Sequence, residues 1–292
     1  MRDGRIVGAV VGVGAVVGIG VLWLRMRSAS VATAPPVPRL PWDRQPPPLP
    51  PIAPAPAPVS TATATPVFAP LVERWRHEVQ KRAGNLPVDA ILEWIQIESG
   101  GDTCSLGMAT EAGIFQLNFP DDAKYGATLD GLRAICAKSK LPGFSISWLT
   151  PAELDMEVGA GINKILAARD TVRRVFTQTG VQWPESTFDF GSAVKQIHAA
   201  PAVITELVPK IVRRDGPPAS WNDLRKRVLA FPVEQMSGLD PHGRPYGLRA
   251  LALAPSKHGL KHRLEDTLAN AEFVGRAWGA PRGVNVARGN YA

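Results

Sequence analysis

From residue 71 onward, apolar positions recur at helical spacing and alternating runs are few, which predicts a mainly α domain over residues 71–280. Leu71, Val72, Trp75 and Val79 give a helix with basic residues on its far face. Pro87 suits the first position of the next helix, where its missing N–H costs nothing. Ile91, Leu92 and Ile95 form that helix's apolar stripe, with Trp94 at the edge, and Gly100-Gly101 is its stop signal. Phe119 to Tyr125 reads as a turn-rich connection, and Leu129 to Ala137 as a short helix. Thr150 caps a helix with Pro151 at its first position, continuing through Ile162, Ile165 and Leu166. Phe188–His198 and Ala202–Val212 are two more helices, divided near Pro201. Ser220-Trp221-Asn222-Asp223 resembles a capping box before Leu224, Val228 and Leu229. A last helix runs from about Arg263 to Trp278 and ends at Gly279; residues 281–292 form a loose tail.

The first 70 residues follow other rules. Ile6 to Leu24 is wholly apolar or glycine, and its nineteen residues span about 28 Å as a helix, close to the thickness of a bilayer core. Arg25 and Arg27 close the run and Trp23 suits the interface, so residues 1–27 read as a membrane anchor. The competing reading is a signal peptide cleaved near Ser30-Val31-Ala32; the length of the run and the arginines behind it favour the anchor. Gly8, Gly12, Gly14 and Gly18 form small-residue pairs through which two such helices would self-associate. Residues 28–70 are a Pro/Ala-rich linker: half of the chain's 28 prolines fall between Pro35 and Pro70. Such a segment builds no core, and forty residues of it reach on the order of 120 Å.

Charge and cysteines narrow the picture further. The net charge of +7 suits an anionic partner such as a wall polymer, and no nucleic-acid motif accompanies it. No cofactor fingerprint or metal-ligand spacing is present. Cys104 and Cys136 either pair in an oxidising compartment or remain two core thiols.

The chemistry centres on Glu98. It falls in the last turn of its helix, three residues after Ile95 and seven after Ile91, and so on the apolar face. Burial and the negative end of the helix dipole both disfavour a carboxylate there, which predicts a raised pKa and a proton to donate. The alternative is a structural Glu met by an arginine or by backbone N–H groups. Ile97-Glu98-Ser99-Gly100, followed by Gly113-Ile114-Phe115-Gln116, resembles the paired motifs of the soluble-type lytic transglycosylases, which share a lysozyme-like fold with goose-type lysozyme. The likeness continues more weakly through the segment Leu154 to Asn163. It departs from the family where an Ala-Tyr-Asn triplet is usual. Phe188 to His198 stands there instead, resembling a phage-like variant with a lysine and a histidine three residues apart.

The resemblance implies cleavage of peptidoglycan between N-acetylmuramic acid and N-acetylglucosamine, with Glu98 as the catalytic acid and then base. Ser99 and Gln116 are implied as supporting residues, and Gly113, Phe115, Asn118, Lys195 and His198 as substrate-binding. Asn118 stands where a hydrolytic relative carries an aspartate, favouring a 1,6-anhydro product; Glu111, Asp121 and Asp122 keep hydrolysis as runner-up, although they also read as surface acids in a loop. Trp148 and Trp183 are candidates for stacking on sugars or for the core. The implied location is the inner membrane with the domain in the periplasm, or a viral membrane. A catalytically inactive wall-binding or structural protein and a chitin-type hydrolase are the other readings.

Overall fold

The computed structural model describes residues 68–105 and 110–279, and these are mainly helical. The anchor, nearly all of the linker, the glycine pairs and the tail lie outside the described residues. No helix among the described residues is long and apolar enough to cross a membrane.

The first helix of the sequence reading is two: Pro70–Glu73 (α1) and Arg76–Arg82 (α2). The bend at Arg74 and Trp75 lets both side chains donate to the Gly101 carbonyl, at 2.9 and 3.0 Å, while Val72, Trp75 and Val79 stay fully buried. The globular part starts earlier than residue 71, because Phe68 is already buried. The next helix is Val88–Glu98 (α3). Pro87 is its N-cap with extended ψ of 119°, one residue before the expected position; its lack of an N–H costs as little there. Ile91, Leu92, Trp94 and Ile95 are buried, as the stripe predicts.

Two short antiparallel strands follow, Glu111–Ala112 (β1) and Leu117–Asn118 (β2), with Glu111 opposite Asn118 and Ala112 opposite Leu117. The connection after them contains a 3₁₀ turn, Asp121–Tyr125. Leu129–Ser139 (α4) is capped by Thr128. Pro151–Leu154 (α5) begins with a reciprocal capping box: Thr150 Oγ1 accepts from the Glu153 N–H at 3.2 Å, and the Glu153 carboxylate accepts from the Thr150 N–H at 2.7 Å. A π turn, Asp155–Gly159, joins α5 to the long helix Ala160–Thr179 (α6). Phe188–Ala199 (α7) matches its expected span closely. The next expected helix is divided into a π turn, Val203–Leu207, and Val208–Asp215 (α8). Trp221–Leu229 (α9) takes its cap from Ser220, and Arg263–Gly279 (α11) closes the described part. Gly247–Leu253 (α10) has no counterpart in the sequence reading; seven residues are too few to display a helical period.

The central helix is α7, packed by α6 and α11, and α11 also meets α3. The α7–α11 approach needs small residues. A Cβ on Gly191 would lie 2.3 Å from Trp278 Cβ, and one on Gly275 would lie 2.0 Å from Ser192 Oγ. Cys104 and Cys136 form a disulfide, which ties the loop after α3 to α4. Trp183 is buried and donates to the Pro218 carbonyl at 3.1 Å, so it belongs to the core; Trp148 is exposed.

Candidate active site

Glu98 is the last residue of α3, and the chain turns sharply behind it. Gly100 and Gly101 have φ of +62° and +84°, a left-handed backbone that glycine adopts without penalty. A Cβ on Gly101 would lie 2.3 Å from the Leu71 carbonyl oxygen, so the turn is pressed against α1.

Two basic side chains from one face of α7 converge on Glu98. Lys195 Nζ donates to Oε1, and His198 Nε2 lies 3.2 Å from the same oxygen. The Glu98 side chain keeps 18% exposure, whereas Lys195 keeps 2%. Lys195 Nζ also sits 4.6 Å from the centroid of the buried Trp94 ring, and His198 meets that ring edge-on at 5.3 Å. No protein hydrogen bond reaches Glu98 Oε2 among the described residues. Lys164 on α6, paired with Asp122, adds a further positive charge felt by Lys195 and His198.

These contacts overturn the expected protonation of Glu98. Burial does push its carboxyl upward, but Lys195 and His198 together outweigh burial and hold it far below the usual carboxylate range. Neither partner was visible in the local helix pattern, because both come from a segment almost a hundred residues away. Lys195 and His198 both face the carboxylate, and the negative charge of Glu98 is what makes a buried ammonium tolerable. Burial lowers the Lys195 pKa, with Glu98 opposing. Burial also lowers His198, to about 4, so its imidazole is neutral near pH 7 and Nε2–H donates to Glu98. His198 Nδ1 is buried with no partner.

The second motif lies beside the first. Ser99 Oγ sits 2.8 Å from the Ile114 carbonyl oxygen and 3.2 Å from that of Ile95, and it accepts from the Gly101 N–H at 3.1 Å. Its hydroxyl therefore joins the end of α3 to the loop between β1 and β2. Gln116 is buried with φ of +48°, and its Nε2 donates to the carbonyls of Ser105 and Gly113 at 2.6 and 2.9 Å. The amide shapes this loop from inside. Phe115, expected at the substrate, is buried in the core; a Cβ on Gly161 would lie 2.1 Å from its ring. Asn118 is half-buried on β2, and its N–H donates to Asp122 at 2.8 Å. Asp122 is itself buried and paired with Lys164, so it is not the surface acid expected in that loop. Glu111 is half-buried and Asp121 exposed.

One residue of the Leu154–Asn163 segment, given no role of its own by the sequence, completes this region. Glu157 sits in the π turn ahead of α6 and is 1% exposed. Its Oε1 accepts from the Ile114 N–H at 2.8 Å, and its Oε2 is buried with no partner. Burial pushes its carboxyl up to about 8, against the Ile114 hydrogen bond and the Arg74 charge, so the group is largely neutral at pH 7. Gly113, with φ of +77°, leaves room for it: a Cβ there would lie 3.3 Å from Glu157 Oε1 and 3.2 Å from Leu132 Cδ1. In the sequence Glu157 stood only within the Leu154–Asn163 segment of weaker likeness, with no local feature marking it as buried.

The arrangement is thus a half-buried carboxylate with one oxygen held by two donors and the other without a hydrogen bond from the described residues, beside a loop held by Ser99, Gln116 and Glu157. Among the described residues no group of His, Cys, Asp or Glu has the grouping that a metal ion needs. No protein-family model, curated protein or solved structure matches this chain.

Proposed function

We propose that the chain is a peptidoglycan lytic transglycosylase with a lysozyme-like domain, carried on a membrane anchor and a long linker so that the domain works in the periplasm or wall space. The single observation that carries this reading is the junction of the two motifs: Ser99 Oγ meets the Ile114 carbonyl at 2.8 Å, setting Glu98 against the Gly113–Gln116 loop. Glu98 protonates the glycosidic oxygen as the C1–O4 bond breaks. The muramyl acetamido oxygen attacks C1, so the scheme needs no second enzyme carboxylate. Glu98, then ionised, takes the proton of the C6 hydroxyl, whose oxygen closes the 1,6-anhydro ring. Water in place of that hydroxyl gives hydrolysis, the outcome of a goose-type lysozyme-like muramidase. Gln116, Ser99 and Glu157 hold the loop, and Asn118 stays at its edge.

A second reading, a wall-binding or structural protein without catalysis, is favoured by the ion pair that keeps Glu98 charged. Digestion of purified sacculi by the wild type and by Glu98→Gln separates the two. The enzyme reading expects anhydro-muropeptides, one water lighter than hydrolysis products, from the wild type alone. Equal release by both proteins ends it.

A further inference from the structure

This inference rests on the catalytic reading of Glu98. That reading leaves a difficulty: the acid must carry a proton, yet the carboxylate is ion-paired at rest. Lys195 Nζ is the donor against Glu98 Oε1, it is nearly sealed from water, and its other close neighbour is the Trp94 ring. The groups facing this pair are His198 from the same helix and Lys164 from α6, the latter held by Asp122.

We propose that Lys195 is the proton store of Glu98: when a glycan covers the carboxylate, the ammonium proton passes to Oε1 and the pair becomes amine and carboxylic acid. The driving change is solvation. At rest the 18% exposure of Glu98 keeps water on the negative charge, while Lys195, at 2%, already lacks it. A bound sugar removes that water, and two poorly solvated charges then give way to two neutral groups. Lys164 pushes the same way, since its charge disfavours a neighbouring ammonium. The carboxyl turns about Cγ–Cδ, a broad two-fold torsion, and presents its proton to the glycosidic oxygen. The O–H bond breaks as that oxygen is protonated, and the C1–O4 electron pair leaves with it. After ring closure the proton taken from the C6 hydroxyl returns through Glu98 to the Lys195 amine, so the cycle balances. Lys195 acts through Glu98 and does not touch the sugar.

The test is a pH profile of muropeptide release by the full membrane-held chain in four forms: wild type, Lys195→Arg, Lys195→Met and Glu98→Gln. Arginine keeps the charge but yields no proton in a protein. Lys195→Arg is therefore expected to lose at least about a hundredfold at every pH. Lys195→Met leaves Glu98 with the neutral His198 as its one remaining partner among the described residues. It remains active at acidic pH, but its alkaline limb falls about one pH unit or more below that of the wild type, whose limb reports Lys195. A purely structural lysine predicts the reverse order, with arginine tolerated and methionine inactive. Wild-type rate and profile in Lys195→Arg overturn the proposal. If that variant does not fold by circular dichroism, a wild-type alkaline limb in Lys195→Met overturns it equally. Activity in Glu98→Gln removes the catalytic reading itself, whereas an inactive Glu98→Gln beside a fully active Lys195→Arg removes only the role of Lys195.

Discussion

Ile114 of the Gly113–Gln116 loop bonds both Glu157 and Ser99, the residue after Glu98, yet the two glutamates have opposite charge states. Both lose solvation on folding. Glu98 meets Lys195 and His198 and is held as a carboxylate. Glu157 meets one backbone N–H and distant charges, and burial keeps it largely neutral at pH 7. Burial alone therefore does not set the protonation of a glutamate; the nearest opposite charge does. Exposure separates them as well. The Glu98 side chain is 18% exposed, while Glu157 is sealed and serves the loop.

The largest expected effect falls on Glu98. Glu98→Gln should reduce release of anhydro-muropeptides from sacculi by about 10²–10⁴-fold, the usual share of one general acid. Glu157→Gln, which can still accept from Ile114, should fall much less in the same assay. Equal losses in the two variants would erase the functional contrast between them.

The next effect is a stability difference with a definite pH sign. The folded pKa of Glu157 is raised from 4.5 to about 8. Its contribution is fully present below pH 4.5 and is lost as pH rises through about 8, at about 1.4 kcal/mol per unit. Urea denaturation of Glu157→Gln should lack that decline. Glu98 has the opposite sign: its folded pKa is depressed, so its contribution is present above 4.5 and is lost as pH falls through the folded value. A Glu157→Gln curve that declines as steeply as the wild type between pH 4.5 and 8 would show Glu157 charged and the comparison mistaken.

The disulfide bears on the Glu98 side, since it fixes the loop that follows that residue. Replacing both Cys104 and Cys136 by serine should lower unfolding free energy by about 3–4 kcal/mol. Urea midpoints of this variant, with and without reductant, check it: only the wild type should respond to reductant. The smallest effect concerns the Glu157 side. Thr150→Ala removes half of the capping box that starts the segment leading to the π turn, and should cost about 1 kcal/mol by thermal denaturation. A loss of several kcal/mol would mean that the cap governs the Glu157 turn as well as its own helix.

The helices were largely legible because their apolar stripes and caps are local. The Ile91–Leu92–Ile95 stripe, the Thr150–Pro151 start, the Ser220 cap and the span of α7 all follow from neighbouring residues. The split between α1 and α2 was not legible, because it answers to the Gly101 carbonyl across the fold. The pairing of Cys104 with Cys136 also needed proximity that spacing leaves open.

The candidate site divides the same way. Local pattern was enough to place Glu98 at the end of an amphipathic helix, to put two glycines at the turn behind it, and to set Lys195 and His198 on one helix face. That this face meets Glu98, that Phe115 turns inward and that Glu157 supports the loop came from long-range packing. The reason is physical: a helix stripe depends on residues three and four apart, whereas a carboxyl's charge depends on whatever the fold brings within a few ångströms.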